Sequence, residues 1–468
     1  MKIEKDDQIL KSRDDKSPVI FGKVGAAAGT EEEFKLAAGS DCSWLKKDEV
    51  FGSAKLRPRI EPWLTALFQS EHFALLIGSG LSHAVHGIAT GKPLPGMDLA
   101  KFTHFDTEIN AEAKKSAGLA GRQEDNIEDQ IRVANELLRG LEIISGSVKD
   151  LKGKATGLKI DLKRVLENFA ASILAGENGL ITAKADELER AFNYLVSFLM
   201  SFASRTGTRD RLQIFTTNYD RYIEAGAEVA GLHLLDRFVG SLSPIFRSSR
   251  LDVDVHYNPP GIRGEPRYLE GVAKFTKLHG SLDWVNAEKT IRRIGLPFGA
   301  ESIKPYLNAP GLAGVEALHL MIYPNSAKDR ETAAYPYVEL FRDFAAAICR
   351  PNSTLISFGY SFGDEHINRV IEDMLTIPST HLVVISYGDP LGRIMEMYEK
   401  MGRHAQITLM IGNHLGDFQS IVDNYLPKPA IDRTTFRMAE LLKSRWGASQ
   451  SENPAHGASE DNKESTEP

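Results

Sequence analysis

The sequence predicts an α/β fold: a parallel sheet flanked by helices, with a helical module inserted into it. Three observations carry this prediction. Short continuous apolar runs such as Phe73-Ala74-Leu75-Leu76-Ile77 stop abruptly at glycine or polar turns, as strands buried on both faces do. Helical patterns alternate with these runs, the signature of βαβ units. Between about 105 and 205 the apolar runs stop and helical periodicity takes over.

The elements follow in chain order. Residues 1–55 are polar and weakly periodic, and read as an N-terminal extension, an interaction arm. The main domain spans 56–446. It opens with a helix over Pro58–Ser70, where Ile60, Trp63, Leu64 and Leu67 share a face. The strand Phe73–Ile77 ends at Gly78-Ser79-Gly80. The insertion predicts helices over Asn126–Leu138, Leu162–Leu174 and Asp186–Phe202, the first two separated by the Gly-, Ser- and Lys-rich stretch Gly146–Lys159. Strand runs return at Leu212–Thr217, Phe275–Leu278, Leu318–Tyr323, Thr354–Phe358, His381–Ser386 and Gln406–Ile411, with a helix from Tyr219 after the first. This alternation makes the predicted sheet Rossmann-like. The segment 447–468 is rich in Ser, Glu, Asn, Gly and Pro and reads as a disordered tail.

Composition excludes several function classes. The 468 residues are 42% hydrophobic and 25% charged, an ordinary globular balance. The net charge of -7 gives no global footprint for DNA or RNA. No apolar run reaches the roughly 18 residues of a membrane span, and the mixed charges of Met-Lys-Ile-Glu-Lys-Asp-Asp do not make a signal peptide. Cys42 and Cys349 are the only cysteines; they cannot form a four-cysteine zinc ribbon or a disulfide framework, and they fit a reducing cytoplasm.

Five polar groups stand at the ends of apolar strands, where an open α/β sheet binds ligands. In Gly78-Ser79-Gly80-Leu81-Ser82, two glycines let the backbone approach a diphosphate, and a following helix adds amide donors. Thr216-Thr217-Asn218-Tyr219-Asp220 offers an amide and a carboxylate to the crevice, though both residue types also cap helices. His279-Gly280 presents an imidazole, a side chain suited to acid–base work, at an accessible strand end, or a plain surface histidine in a turn. Gly359-Tyr360-Ser361 suits contact with a ribose or phosphate, and Ser386 ends a further strand. Other features read more plainly. His83 and His86 either face the pocket or only line a mobile loop, which Pro93-Leu94-Pro95-Gly96 shapes over the ligand; Arg292 and Arg293 are a solvated pair. Tyr323-Pro324-Asn325-Ser326 is a turn that either closes the site or only ends a strand; Asp364-Glu365-His366 is the nearest approach to a metal-binding cluster, and a helix start explains it as well.

Taken in order, Gly78/Gly80/Ser82, Thr216/Asn218/Asp220, His279/Gly280 and Gly359/Ser361 resemble the sirtuin superfamily over roughly residues 70–430. Asn126-Ile127-Glu128-Asp129, Lys277-Leu278-His279-Gly280-Ser281 and Gly359-Tyr360-Ser361-Phe362-Gly363-Asp364 resemble more closely the bacterial sirtuin-like NADases of anti-phage defence, as in the subunit that pairs with a HerA-type hexameric ATPase. The resemblance implies NAD as substrate, split to nicotinamide and ADP-ribose by Asn218, Asp220 and His279. Gly78, Ser79, Gly80, Ser82, Thr217, Gly359, Ser361 and Ser386 would bind the dinucleotide. It also implies a latent, homo-oligomeric cytoplasmic effector that meets nucleic acid only through its partner. The zinc ribbon of deacylating sirtuins is missing, and the second motif reads Thr-Thr-Asn where many deacylases carry glutamine before the asparagine. Water is therefore the implied acceptor and no zinc is implied. NAD-dependent deacylation and a non-catalytic scaffold for NAD or ADP-ribose are the alternatives.

Overall fold

The computed structural model describes residues 6–24, 32–46, 48–119, 125–146, 148–203, 210–249, 254–257, 267–287, 290–322 and 335–428. The expected tail and Tyr323-Pro324-Asn325-Ser326 lie outside these residues.

The expected architecture is present: a large, mainly parallel sheet covered by helices, with a helical module between its first and second parallel strands. Four strands precede the parallel part: β1 (Asp7–Lys11), β2 (Val19–Val24), β3 (Glu33–Leu36) and β4 (Val50–Phe51). β5 (His72–Ile77), β6 (Gln213–Thr216) and β7 (His233–Leu235) follow. Smaller strands are β8 (Phe238–Val239), β9 (Ile245–Phe246), β10 (His256–Tyr257) and β11 (Arg267–Tyr268). Then come β12 (Val272–Lys277), β13 (Ser281–Ala287), β14 (Thr290–Arg293) and β15 (Leu320–Met321). The last three are β16 (Ser353–Phe358), β17 (His381–Ser386) and β18 (Ile407–Ile411).

Eleven of these make one sheet in the order β4-β3-β2-β1-β18-β17-β16-β5-β6-β12-β7. From β18 to β7 all neighbours are parallel. The chain leaves β5 toward β6 on one side and later returns to β16 on the other. Strand order therefore reverses between β5 and β16, and the crevice outside their carboxyl ends is the topological switch point.

Alternation along β5 explains its continuous apolar run. Phe73, Leu75 and Ile77 join one core layer, Ala74 and Leu76 the opposite one. With both faces covered, no position is left for a polar residue.

The inserted module comprises α3 (Asp106–Leu119), α4 (Ile127–Ile144), α5 (Lys149–Ile181) and α6 (Ala185–Ala203). It follows α2 (Ser79–Thr90), itself preceded by α1 (Ser53–Phe68) before β5. α5 corrects the sequence expectation: Gly146–Lys159 is no spacer, because the helix starts at Lys149 and takes in Gly153 and Gly157. Gly157 serves packing, since a Cβ there would lie 2.5 Å from His104 Nε2. A second, five-stranded sheet runs β15-β13-β14-β9-β8, and the helices share a core with it: Ile131, Leu162 and Leu166 join Leu282 and Val285 of β13, and Ile303 from the loop beyond β14.

Further expectations are revised. The polar arm over 1–55 contributes four antiparallel strands, β1 pairing with β18. Its pattern is muted because buried positions carry polar groups: Gln8 Oε1 accepts from His414 N and Leu415 N, and Lys11 Nζ donates to Ile407 O at 3.0 Å. Of the run expected over Leu318–Tyr323, the described residues give the end of a short 3-10 turn (Ala317–His319) and the two-residue β15, which pairs with β13. The helix expected from Tyr219 begins at Tyr222 and runs to Ala230 (α7). His83 and His86 belong to α2, not to a loop, and His86 is buried with Nδ1 3.1 Å from Tyr222 Oη. Arg293 is not solvated: it pairs with Asp236 at 2.5 Å and lies over the Phe238 ring, while Arg292 donates to Ser243 O.

Candidate active site

At the switch point the turns after β5 and β16 touch. Gly78 N donates to Phe358 O at 3.0 Å and Gly80 N to Gly359 O at 3.1 Å. A Cβ on Gly80 would stand 2.6 Å from Gly359 Cα, and Gly359 itself adopts φ +61. Only glycine allows this approach. The contact also revises the anion-binding expectation, because the Gly80 and Leu81 amides are already used, on Gly359 O and Gly78 O.

The second turn, after β6, is held from three sides. Lys277 is almost fully buried at the end of β12 and donates to Asp220 O at 2.5 Å, with its Nζ 3.0 Å from Glu224 Oε1. Leu282 N donates to Tyr219 O, and Leu278 N to Thr216 O. From the inserted module, Glu177 of α5 accepts from Arg221 N at 2.9 Å and pairs with its guanidinium at 2.5 Å. Burial pushes the Glu177 carboxyl up, opposed by Arg221.

Held in this way, the turn aims its side chains. Asn218 is buried, and its Nδ2 donates to Gly78 O and to Ser82 Oγ, both at 3.0 Å. Gly78 O can only accept, so this bond fixes the amide orientation and leaves Oδ1 as the face turned to a ligand. Ser82 Oγ donates onward to Asp220 Oδ2 at 2.8 Å, and Tyr222 N donates to Asp220 Oδ1. Desolvation pushes the Asp220 carboxyl up, against the nearby Lys277 charge. Tyr219 also lines the cavity and crosses to the inserted module, donating to Glu128 Oε1 of α4 at 2.6 Å; burial first, then the Glu128 charge, hold its hydroxyl well above the usual range.

His279 follows β12 by two residues. Its Nε2 lies 2.8 Å from Asp364 Oδ2, and both side chains are 14% exposed. Asp364 also caps the helix Glu365–Leu375, its Oδ1 accepting from His366 N and Ile367 N.

These groups line one cavity of about 560 Å³, large enough for a cofactor-sized ligand. Gly78, Ser79, Thr217, Asn218, Asp220, His279, Gly359 and Ser361 all reach it. Gly80 and Ser82 stand behind it, as packing and as the hydrogen-bond link. Ser386 is not brought to the cavity: its hydroxyl turns back to Gly388 O at 2.8 Å. Of the opposite wall, only the loop at Pro93–Gly96 was expected over the ligand; His83 of α2 also reaches the cavity, one of the two readings given for it. The wall itself comes from the inserted module, through Glu128, Asp129 and Arg132 of α4 and Phe169, Ser172 and Ile173 of α5, with Leu94–Met97 at the rim. Asp364 and Arg393 complete the far end. The Asn126 cap of α4, a capping box with Asp129, is the sequence signal for the start of its helical part.

The arrangement offers carboxylates, a fixed amide acceptor and an imidazole to a partly enclosed ligand, a set that stabilises developing positive charge. Among the described residues, no three His, Cys, Asp or Glu gather as a metal site, and no helix is long and apolar enough to cross a membrane.

The SIR2-like domain family matches residues 212–408. That span holds Asn218, Asp220, His279, Gly359, Ser361 and Asp364, and suits an NAD-related function; it excludes the glycine turn and the inserted helices. No curated protein matches the chain.

Proposed function

We propose that this cavity binds NAD and hydrolyses its bond to nicotinamide. The observation that carries the proposal is the convergence of Asn218, Asp220 and His279, from two neighbouring strand ends, on one cavity at the switch point of the sheet. The SIR2-like match over the same residues supports NAD as the ligand.

In this reading Ser79, Gly78, Gly359 and Ser361 face the ADP-ribose part, and Thr217 the ribose side. Asp220 receives the carboxamide of nicotinamide. The C1′–N bond breaks with its electron pair leaving on nicotinamide, a neutral leaving group that needs no acid. Positive charge develops on the ribose, beside a cavity rich in carboxylates. Asn218 Oδ1 holds the attacking water or a ribose hydroxyl. Water adds to C1′ and its proton passes to His279. The products are nicotinamide, ADP-ribose and a proton.

An enzyme of this kind is toxic when always active. The proposal therefore includes latency: a cytoplasmic homo-oligomer, released by a HerA-type ATPase partner, that depletes NAD during phage infection.

The test is chromatography of NAD incubated with purified protein, alone and with that partner. Nicotinamide and ADP-ribose are expected, with Asn218→Ala and His279→Ala folded but slower by about 10²-fold or more. Wild-type turnover by assembled Asn218→Ala would remove the assigned roles. Acyl-ADP-ribose formed only when an acylated peptide is added would replace hydrolysis by deacylation. Tight NAD binding without turnover in any assembly would make the chain a scaffold.

A further inference from the structure

We infer that Asp364 is the positioning residue that sets the tautomer of His279, leaving Nδ1 as its proton-accepting nitrogen. The inference rests on His279 being the base of the proposed reaction.

The geometry carries it. A carboxylate only accepts, so the 2.8 Å contact between Asp364 Oδ2 and His279 Nε2 requires the proton on Nε2. In the neutral ring Nδ1 then keeps its lone pair, and no described residue donates to it. When the ring takes a proton, the same carboxylate faces the imidazolium and stabilises it. Asp364 cannot swing away easily, because its other oxygen accepts two amides of the first turn of the helix Glu365–Leu375. One carboxylate thus joins a helix start to a histidine 85 residues away in the chain.

This dual use gives an unusual ordering of variants. In Asp364→Asn the side-chain oxygen still caps the helix, since asparagine is as good a cap as aspartate. The amide NH₂ is then left facing His279 Nε2. That nitrogen must become the acceptor, the proton moves to Nδ1, and the base is lost. In Asp364→Ser the hydroxyl also caps the helix, but it is too short to reach the ring. The imidazole then samples both tautomers and retains part of its function. A residue needed only for folding gives the opposite order, because asparagine is the closer replacement in shape and capping.

The experiment measures kcat and KM for nicotinamide release by the assembled wild-type protein and by its Asp364→Asn and Asp364→Ser variants. Heteronuclear NMR of histidine-labelled protein reads which nitrogen of His279 carries the proton, with His279→Gln identifying the signal. The expected result is a kcat loss of about 10²- to 10⁴-fold for Asp364→Asn, a smaller loss for Asp364→Ser, and KM within about threefold for both. The proton should sit on Nε2 in the wild type and on Nδ1 in Asp364→Asn. Equal or milder loss in Asp364→Asn than in Asp364→Ser overturns the inference, as does an unchanged tautomer. If the wild type does not cleave NAD at all, the hydrolase reading fails, and the NMR signal alone decides whether Asp364 sets the ring.

Discussion

Glu177 of the inserted helix and Arg221 of the Asn218-bearing turn form a buried ion pair, with side chains 0% and 8% exposed. Arg221 also donates to Leu296 O and Pro297 O, and Gly299 N donates to Glu177 Oε2. A single pair thus joins three segments: α5, the turn after β6, and the loop after β14. The insertion is therefore more than a decoration on the sheet, because it anchors the turn that aims Asn218 and Asp220.

Breaking that pair from one side leaves a charge buried without compensation, which costs about 3–5 kcal/mol. Glu177→Gln is expected to lower the unfolding free energy measured in urea by this order and to slow nicotinamide release by loosening the turn. The double change Glu177→Met with Arg221→Met removes both charges, and should be less destabilising than Glu177→Gln alone. Urea unfolding of the three proteins checks this; equal midpoints for wild type and Glu177→Gln would show that the pair holds nothing.

A pH effect on stability is expected far from the cavity, at the start of β17. Burial, with the Lys11 charge adding to it, pulls His381 down to about 4 from 6.5. Its Nε2 lies 2.8 Å from Thr408 Oγ1, which also accepts from Trp63 Nε1 at 2.9 Å. A neutral ring can accept the Thr408 hydroxyl proton at Nε2, and a protonated ring cannot. Because the folded pKa is the lower one, the unfolded chain binds the extra proton first as pH falls. Stability is full above about pH 6.5, declines between 6.5 and 4, and loses no more from this group below 4. The loss is about 3 kcal/mol at most. Urea unfolding at pH 7 and pH 4.5 should show a larger drop for wild type than for His381→Gln; equal drops would exclude His381 as the cause.

What could be read from the sequence depended on how local its cause was. Asn218, Asp220 and His279 were visible because each ends an apolar run, and the end of a parallel strand is a known place for ligands. The glycine turn was visible for the same reason, but not its use: the Gly80 amide bonds to Gly359 O, a partner from a strand much later in the chain. β1 was hidden by the polar Gln8 and Lys11, whose partners Ile407, His414 and Leu415 lie near the other end of the chain. The start of α5 was hidden by glycines, of which Gly157 serves packing against His104. Asp364 was legible as a helix cap, and it is one; its contact with His279 comes from sheet topology.

The touching turns give the last prediction, one that separates backbone strain from a broken contact. Gly359 and Gly402 both adopt left-handed backbone, at φ +61 and φ +59. Alanine at either position meets the same conformational cost, about 1–2 kcal/mol. Their surroundings differ. A Cβ on Gly402 meets nothing within 4 Å, whereas one on Gly359 lies 2.6 Å from Gly80 Cα and 3.0 Å from Gly80 N. Both of those atoms are backbone and cannot rotate aside, so Gly359→Ala must push the turns after β5 and β16 apart. That displacement stretches the Gly80 N to Gly359 O bond and shifts Gly78, whose carbonyl orients Asn218. Gly402→Ala should therefore cost only the strain and leave NAD affinity unchanged. Gly359→Ala should cost more in urea unfolding and weaken NAD binding, measured by calorimetry, by about tenfold or more, the equivalent of about 1.4 kcal/mol. Equal effects of the two changes on stability and affinity would mean that the glycine contact does not shape the cavity.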